Sequence, residues 1–267
     1  MSAGPVLLEV RGLGRRFEPR AGRGEAMFAL RELSFVVHEG EFLTIVGPSG
    51  SGKSTLLNLI AQIDAPTEGE IRFQGRPIAS ATAAAALRPG WDRQFGYVTQ
   101  DDTLLPWRTL RDNVLFPLRV QGRLSDATRA RAAELMRAVG LEGFERYYPH
   151  ELSGGMRKRA ALIRTLVYDP PVILMDEPFG ALDAQTRTQL QADLLRLWSL
   201  GRKTIVFVTH DIAEAIALGD RTLVFTRAPA RVQSEHRIAI ARPRDVRNIY
   251  VADGFTETYE RIRKELA

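Results

Sequence analysis

Four short segments of the chain are dominated by β-branched, aliphatic or aromatic residues: Glu41 to Val46, Phe95 to Thr99, Val172 to Met175 and Thr204 to Thr209. At least two are apolar without interruption, the pattern of strands covered on both faces. Each runs directly into polar residues: the first into a Gly-Pro-Ser-Gly-Ser-Gly-Lys-Ser-Thr segment, the second into Gln100, the third into Asp176 and Glu177, the fourth into His210. A polar strand end is common singly. Open parallel sheets bind ligands at the carboxyl ends of their strands, so four such ends together describe one shared site. Helical spacing over Thr128 to Val139 and Met156 to Val167 marks a stretch from about Asp101 to Asp169 as an inserted helical lobe. From about Arg227 an Ala-Pro-Ala turn separates two strand-like runs. The chain then ends in a helix that carries Phe255, Tyr259, Ile262 and Leu266 on one face, a packing surface without chemistry of its own. No repeat of fixed period is present, and the alanine-rich stretch Ala81–Ala86 reads as loop or short helix.

Composition narrows the class. A chain of 267 residues with 45% hydrophobic and 26% charged residues can bury one large α/β core with a smaller lobe. No apolar run approaches the roughly 18–20 residues that span a bilayer, and the start lacks the basic-then-apolar pattern of a secretion signal, so a cytoplasmic location is expected. Zero cysteines exclude disulfides and thiolate metal sites, and His38, His150, His210 and His236 show no close metal-ligand spacing, so zinc is not expected. The net charge of +5 is carried by arginines scattered along the chain, which favours compositional bias over a nucleic-acid or lipid partner. With only four lysines, the one inside a glycine-rich loop, Lys53, stands out.

Gly47, Pro48, Ser49, Gly50, Ser51, Gly52, Lys53, Ser54 and Thr55 form a phosphate-loop pattern. Its glycines let backbone N–H groups wrap phosphate oxygens, and a helix starting near Lys53 adds its positive N-terminal end. Lys53 would neutralise the β- and γ-phosphates and Ser54 would ligate Mg2+. Asp176 and Glu177 close an apolar strand, where Asp176 would orient the magnesium through its water shell and Glu177 would accept a proton from the attacking water. Leu152-Ser-Gly-Gly-Met156 precedes an amphipathic helix with Ser153 as N-cap. Arg157, Lys158 and Arg159 crowd the start of that helix against its dipole, a conflict that either a bound anion or simple solvation would relieve.

In this setting Leu-Ser-Gly-Gly-Met resembles the signature motif of the ATP-binding cassette (ABC) family. Gln100 resembles its Q-loop, Ala181-Leu182-Asp183 its D-loop and His210 its switch histidine, while Phe17 stands where the family stacks an aromatic ring on adenine. The resemblance covers roughly residues 6 to 226. It implies a P-loop α/β core with a mostly parallel sheet, an N-terminal antiparallel β subdomain and an inserted α-helical lobe. The core would span 1–100 and 170–230, the signature lobe 101–169, and a tail over 231–267 would pack on the core. It further implies ATP and Mg2+ as ligands, with Ser54, Gln100 and Asp176 around the metal and His210 at the γ-phosphate. A head-to-tail dimer would place each ATP between the phosphate loop of one copy and Ser153, Gly154 and Gly155 of the other, with Asp183 in the D-loop. The motif ends in methionine and continues to Lys158 where glutamines are usual, Phe17 replaces tyrosine, and extra residues around Pro19 to Glu25 suggest a surface loop.

Val98-Thr-Gln-Asp-Asp-Thr-Leu-Leu-Pro-Trp107 with Asn113-Val114 resembles the ATPase subunits of nitrate, sulfonate and taurine importers. That implies a translocating ATPase, peripheral on the cytoplasmic face of the inner membrane, with two transmembrane permease subunits and a periplasmic or lipoprotein substrate-binding protein. Leu104, Leu105 and Trp107 are equally suited to receive a permease helix or to fill a core. The alternative is another ABC system, whether an exporter, a lipid transporter or a non-transport ATPase. The cargo is not legible.

Overall fold

The computed structural model describes residues 4–18, 26–82, 93–180 and 182–267. The loop expected around Pro19 to Glu25 lies outside them, as do Ala181 and most of the alanine-rich stretch, from residue 83 on. In chain order the elements are β1 (Val6–Phe17), β2 (Met27–His38), β3 (Phe42–Val46), α1 (Lys53–Ile60), β4 (Glu68–Phe73), β5 (Arg76–Ser80), β6 (Phe95–Val98), α2 (Leu110–Val120), α3 (Asp126–Ala138), α4 (Gly154–Leu166), β7 (Val172–Asp176), α5 (Ala184–Gly201), β8 (Thr204–Thr209), α6 (Ile212–Leu218), β9 (Arg221–Phe225), β10 (Val232–Arg237) and α7 (Phe255–Leu266). The chain divides into two compact units, one of Met1–Trp91 with Lys203–Ala267 and one of Asp92–Arg202.

The first unit holds two sheets. One is antiparallel, in the order β2-β1-β4-β5. In the other, β3 pairs in parallel with β8 on one side and β9 on the other, and β10 runs antiparallel to β9. Every residue of β3 and β8 is buried, as uninterrupted apolar strands require. The one hydroxyl inside β3, on Thr44, is satisfied by the carbonyls of Ala215 and Arg221 and by Thr222. The expected helical face at the chain end is present: α7 buries Phe255 and Ile262, with Tyr259 and Leu266 half-buried.

The second unit pairs β6 and β7 in parallel and packs α2, α3 and α4 around one apolar cluster that includes Leu104, Leu118, Met136, Leu141 and Ile163. Helices α3 and α4 begin two residues before their apolar spacing, because Ser125 and Ser153 accept hydrogen bonds from the amides of Thr128 and Met156 and so start the first turn. The segment before α2 is held from within by fully buried Asn113. Its Oδ1 accepts from Leu105 N at 2.7 Å, and its Nδ2 donates to the carbonyls of Leu105, Arg108 and Thr109 at 3.0–3.1 Å. Leu104 is core, whereas Trp107 is 71% exposed. Truncating Asn113 to alanine strands a buried amide and carbonyls, so Asn113→Ala is expected to cost about 1–3 kcal/mol, read as a lowered urea midpoint.

Candidate functional site

In the first unit the residues after β3 cannot continue as strand. Gly50 and Gly52 take φ of 75° and 85°, and Gly52 caps α1 without a side-chain hydrogen bond. The residue at the cap thus offers no side chain to the amides at the start of α1, and no acidic residue sits in that first turn. A Cβ on Gly52 would lie 2.8 Å from Ala29 O and from Leu30 Cδ2, so the α1 start is pressed directly on β2. Lys53 is 5% exposed; its ammonium donates to the carbonyls of Gly47 and Pro48 at 2.9 Å and approaches Ser51 Oγ at 3.4 Å. The lysine charge is thereby stored beside the loop it serves. Pro48 and Thr55 are half-buried, while Ser49 and Ser54 are exposed.

His210 follows β8 and is exposed, but its backbone is anchored. Thr209 is hydrogen-bonded to buried Glu214, its hydroxyl accepts from Asp211 N at 3.0 Å, and Asp211 caps α6 through the amides of Ala213 and Glu214. Phe17, at the end of β1, is 39% exposed. With Arg15, Phe28 and Thr67 it lines a cleft of about 530 Å³.

In the second unit β7 ends at Asp176. The phenol of Tyr97 on β6 is held well above its ordinary pKa by burial, then by the charge and hydrogen bond of Asp176, so it remains a donor that fixes this carboxylate. Glu177 adopts a φ of 42°, a left-handed conformation that costs a non-glycine residue on the order of 1 kcal/mol. Gly180 stands within 4.0 Å of both Glu177 Oε2 and Gln100 Nε2, measured from a Cβ built on it, so these two side chains share one corner of the unit. Ser153 caps α4, and a Cβ on Gly155 would lie 2.8 Å from Thr186 Cγ2 in the first turn of α5. Asp183 caps α5, accepting from Thr186 N at 2.9 Å, and those amide contacts hold its carboxyl below the usual range.

The basic residues at the start of α4 have internal partners. Arg157 Nε meets Asp102 at 2.9 Å, Arg159 meets buried Asp193 at 3.3 Å, and Lys158 donates to the Gln100 carbonyl. Arg164 reaches Thr103 Oγ1 at 2.7 Å. Acids of the same unit thus relieve the dipole conflict, and no bound anion is needed for that purpose.

The ABC transporter family model matches residues 30–180. The chain belongs to the ABC transporter family. It is an ATP-binding subunit of the hydrolysing kind, with the α/β P-loop fold of the ABC cassette. Among curated relatives, an uncharacterised ABC transporter ATP-binding protein of Methanocaldococcus jannaschii is 46% identical over 90% of this chain and 85% of its own. A taurine import ATP-binding protein of Ruegeria pomeroyi is 38% identical over 96% and 92%, and one of Burkholderia pseudomallei 41% over 92% of each. Among solved structures, a dimeric ATP-binding cassette in a post-hydrolysis state bound to ADP and Pi gives a TM-score of 0.74 at 34% identity, covering 87% of this chain and 99% of that one.

Sequence reasoning passed over Tyr97 and Glu214 in this ABC cassette. Tyr97 stands one strand from Asp176, and only the β6–β7 register, Tyr97 opposite Leu174, reveals the pairing. A polar residue in an apolar strand was the available signal. Glu214 lies in the first turn of α6, where an acid reads as an ordinary helix-start charge.

Gly52→Ala adds a methyl group at positive φ against a backbone carbonyl. It is expected to destabilise the fold by about 1–3 kcal/mol and to weaken nucleotide binding together with it, checked by urea unfolding and ATP titration of the same variant.

Proposed function

We propose that this chain powers an importer of a small nutrient of the taurine, sulfonate or nitrate kind, from the cytoplasmic face of the inner membrane. Two copies would act on two transmembrane permease subunits, fed by a periplasmic or lipid-anchored binding protein. The observation that carries the reading is the set of taurine import relatives, 38–43% identical over most of this chain. Exposed Trp107, seven residues after exposed Gln100, supports a partner surface in this segment, and no helix among the described residues is long and apolar enough to cross a membrane. The ATP-binding core would comprise 1–100 and 170–230, the signature lobe 101–169, and the tail 231–267 would pack on the core.

In this reading the amides from Gly47 to Thr55 cradle the phosphates and Lys53 moves from its loop carbonyls to the β- and γ-phosphates. Phe17 supports the base. Ser54, Gln100 and Asp176 offer a hydroxyl, an amide oxygen and a carboxylate, hard oxygen donors that fit Mg2+. The bound ion would neutralise phosphate charge. Glu177 accepts the proton of the water whose oxygen bonds to the γ-phosphorus as the bond to the ADP oxygen breaks, and His210 contacts the γ-phosphate. Ser153, Gly154 and Gly155 of one copy meet the triphosphate of the other, near Asp183. Closure on binding and reopening after hydrolysis would then shift the pair between two states by differential contacts.

Glu177→Gln keeps the shape of the side chain and removes its basicity. It should bind ATP normally and lose about 10²-fold or more in turnover, and wild-type turnover would refute the assignment. Lys53→Ala should abolish measurable ATP binding by equilibrium titration, and unchanged affinity would remove Lys53 from the site.

A further inference from the structure

Arg15 and Phe17 are alternate residues of β1, so their side chains leave the same face of the strand. The guanidinium carbon of Arg15 lies 4.7 Å from the centre of the Phe17 ring. Its Nη2 is 2.8 Å from Asp64 Oδ1. Asp64 belongs to the turn that follows α1, the helix launched by the phosphate loop; its amide donates to Asn58 O at 3.3 Å and its Oδ1 accepts from Ala65 N at 2.8 Å. Arg15 is therefore tethered at its tip to a fixed carboxylate while its guanidinium lies over an aromatic ring. Its buried Nε has no hydrogen-bond partner among the described residues. An arginine placed for its own hydrogen bonding would satisfy that atom; this one gives up the contact and keeps the ring.

We propose that Arg15 is a positioning residue for the nucleobase: held by Asp64, it braces one face of Phe17 so that the other face is presented to the base of a bound nucleoside triphosphate. The inference rests on the reading of Phe17 as the stacking partner of that base. The Phe17 ring carries no hydroxyl that could anchor its rim, so the brace supplies the rigidity. The guanidinium also draws on the electrons of the ring, which favours an electron-rich purine on the opposite side. The cleft of about 530 Å³ beside both residues is of a size that takes small ligands.

The test titrates the full chain and its variants with ATP and, separately, with inorganic tripolyphosphate, which has the phosphates and no base. Phe17→Ala should weaken ATP roughly tenfold. Arg15→Ala should weaken it roughly threefold. Both should leave tripolyphosphate affinity unchanged, and the double variant should bind ATP no worse than Phe17→Ala alone. Arg15→Lys keeps the charge for Asp64 and loses the planar contact; it should fall between Arg15→Ala and wild type, which guards against a variant that merely unfolds. If Phe17→Ala leaves ATP affinity intact, the stacking reading itself is wrong. If Phe17→Ala weakens ATP while Arg15→Ala does nothing, tightens binding, adds fully in the double variant or weakens tripolyphosphate equally, the stacking reading stands and the brace is refuted.

Discussion

Between β3 and α1 the backbone must enter the left-handed region twice within three residues, at Gly50 and Gly52, and still start a helix at Lys53. Only residues without a Cβ do this at little cost, and the neighbouring walls make the demand stricter. Gly52 sits against the Ala29 carbonyl of β2 and Gly47 against Phe225 of β9, with contacts of 2.8 and 3.0 Å for a built Cβ. The loop is thus held from two strands. Of these two, β9 is in turn held in the parallel ladder with β3 and β8, whose buried apolar residues leave no room for slip of register. The Lys53 ammonium completes the arrangement by bridging the Gly47 and Pro48 carbonyls, so a charge that would be costly to bury alone is kept hydrogen-bonded next to its expected phosphate partners.

The second unit solves a different problem, the placement of three consecutive cations at the wrong end of a helix. Asp102, Asp193 and the Gln100 carbonyl each take one of them, and Arg164, five residues beyond Arg159, binds Thr103. The strand-end segment from Gln100 to Thr103 and the first turns of α4 are therefore one polar network. Burial lowers the pKa of half-buried Lys158, and the charges of Asp102 and Asp101 oppose that change. Gln100 and the Ser-Gly-Gly turn, assigned to different motifs on sequence grounds, share this network through residues that belong to neither.

The four strands were legible almost to the residue; β8 matches throughout and β3 starts one residue late, because full burial of these two forces a nearly uninterrupted apolar run. The cap at Ser153 was visible beside its glycine pair, whereas that at Ser125, three residues ahead of its apolar spacing, has no such signal until its hydroxyl is seen to accept an amide. The N-terminal antiparallel strands could be expected only from the family resemblance. Their alternation is interrupted by register shifts between β1 and β2, and a shift of one residue moves side chains to the opposite face. Among site residues, those in glycine-rich or acid-paired motifs were visible as local patterns. Tyr97 and Glu214 were not, because each acts through a residue distant in sequence or hidden in an ordinary helix turn. Leu104 and Trp107 could not be separated by composition; the buried Asn113 amide, which ties the intervening backbone, decides which one faces the core.

Adjacent acids at a strand end raise a geometric difficulty, since successive side chains of an extended strand point to opposite sides. Asp176 is still within β7 and is fixed by the Tyr97 phenol. For Glu177 to serve the same phosphate end, the chain must turn at once, and its φ of 42° is that turn. The conformation is strained for a residue with a Cβ, and glycine would adopt it more easily, so the backbone alone does not account for a glutamate here. A Cβ on Gly180 would meet Glu177 Oε2 at 3.9 Å and Gln100 Nε2 at 4.0 Å, so both side chains end beside this glycine. The two acids therefore occupy different physical situations, one immobilised by a neutral donor and one carried on a strained bend beside an amide. In the proposed function, that difference would let the neighbouring carboxylates divide metal orientation and proton acceptance between them.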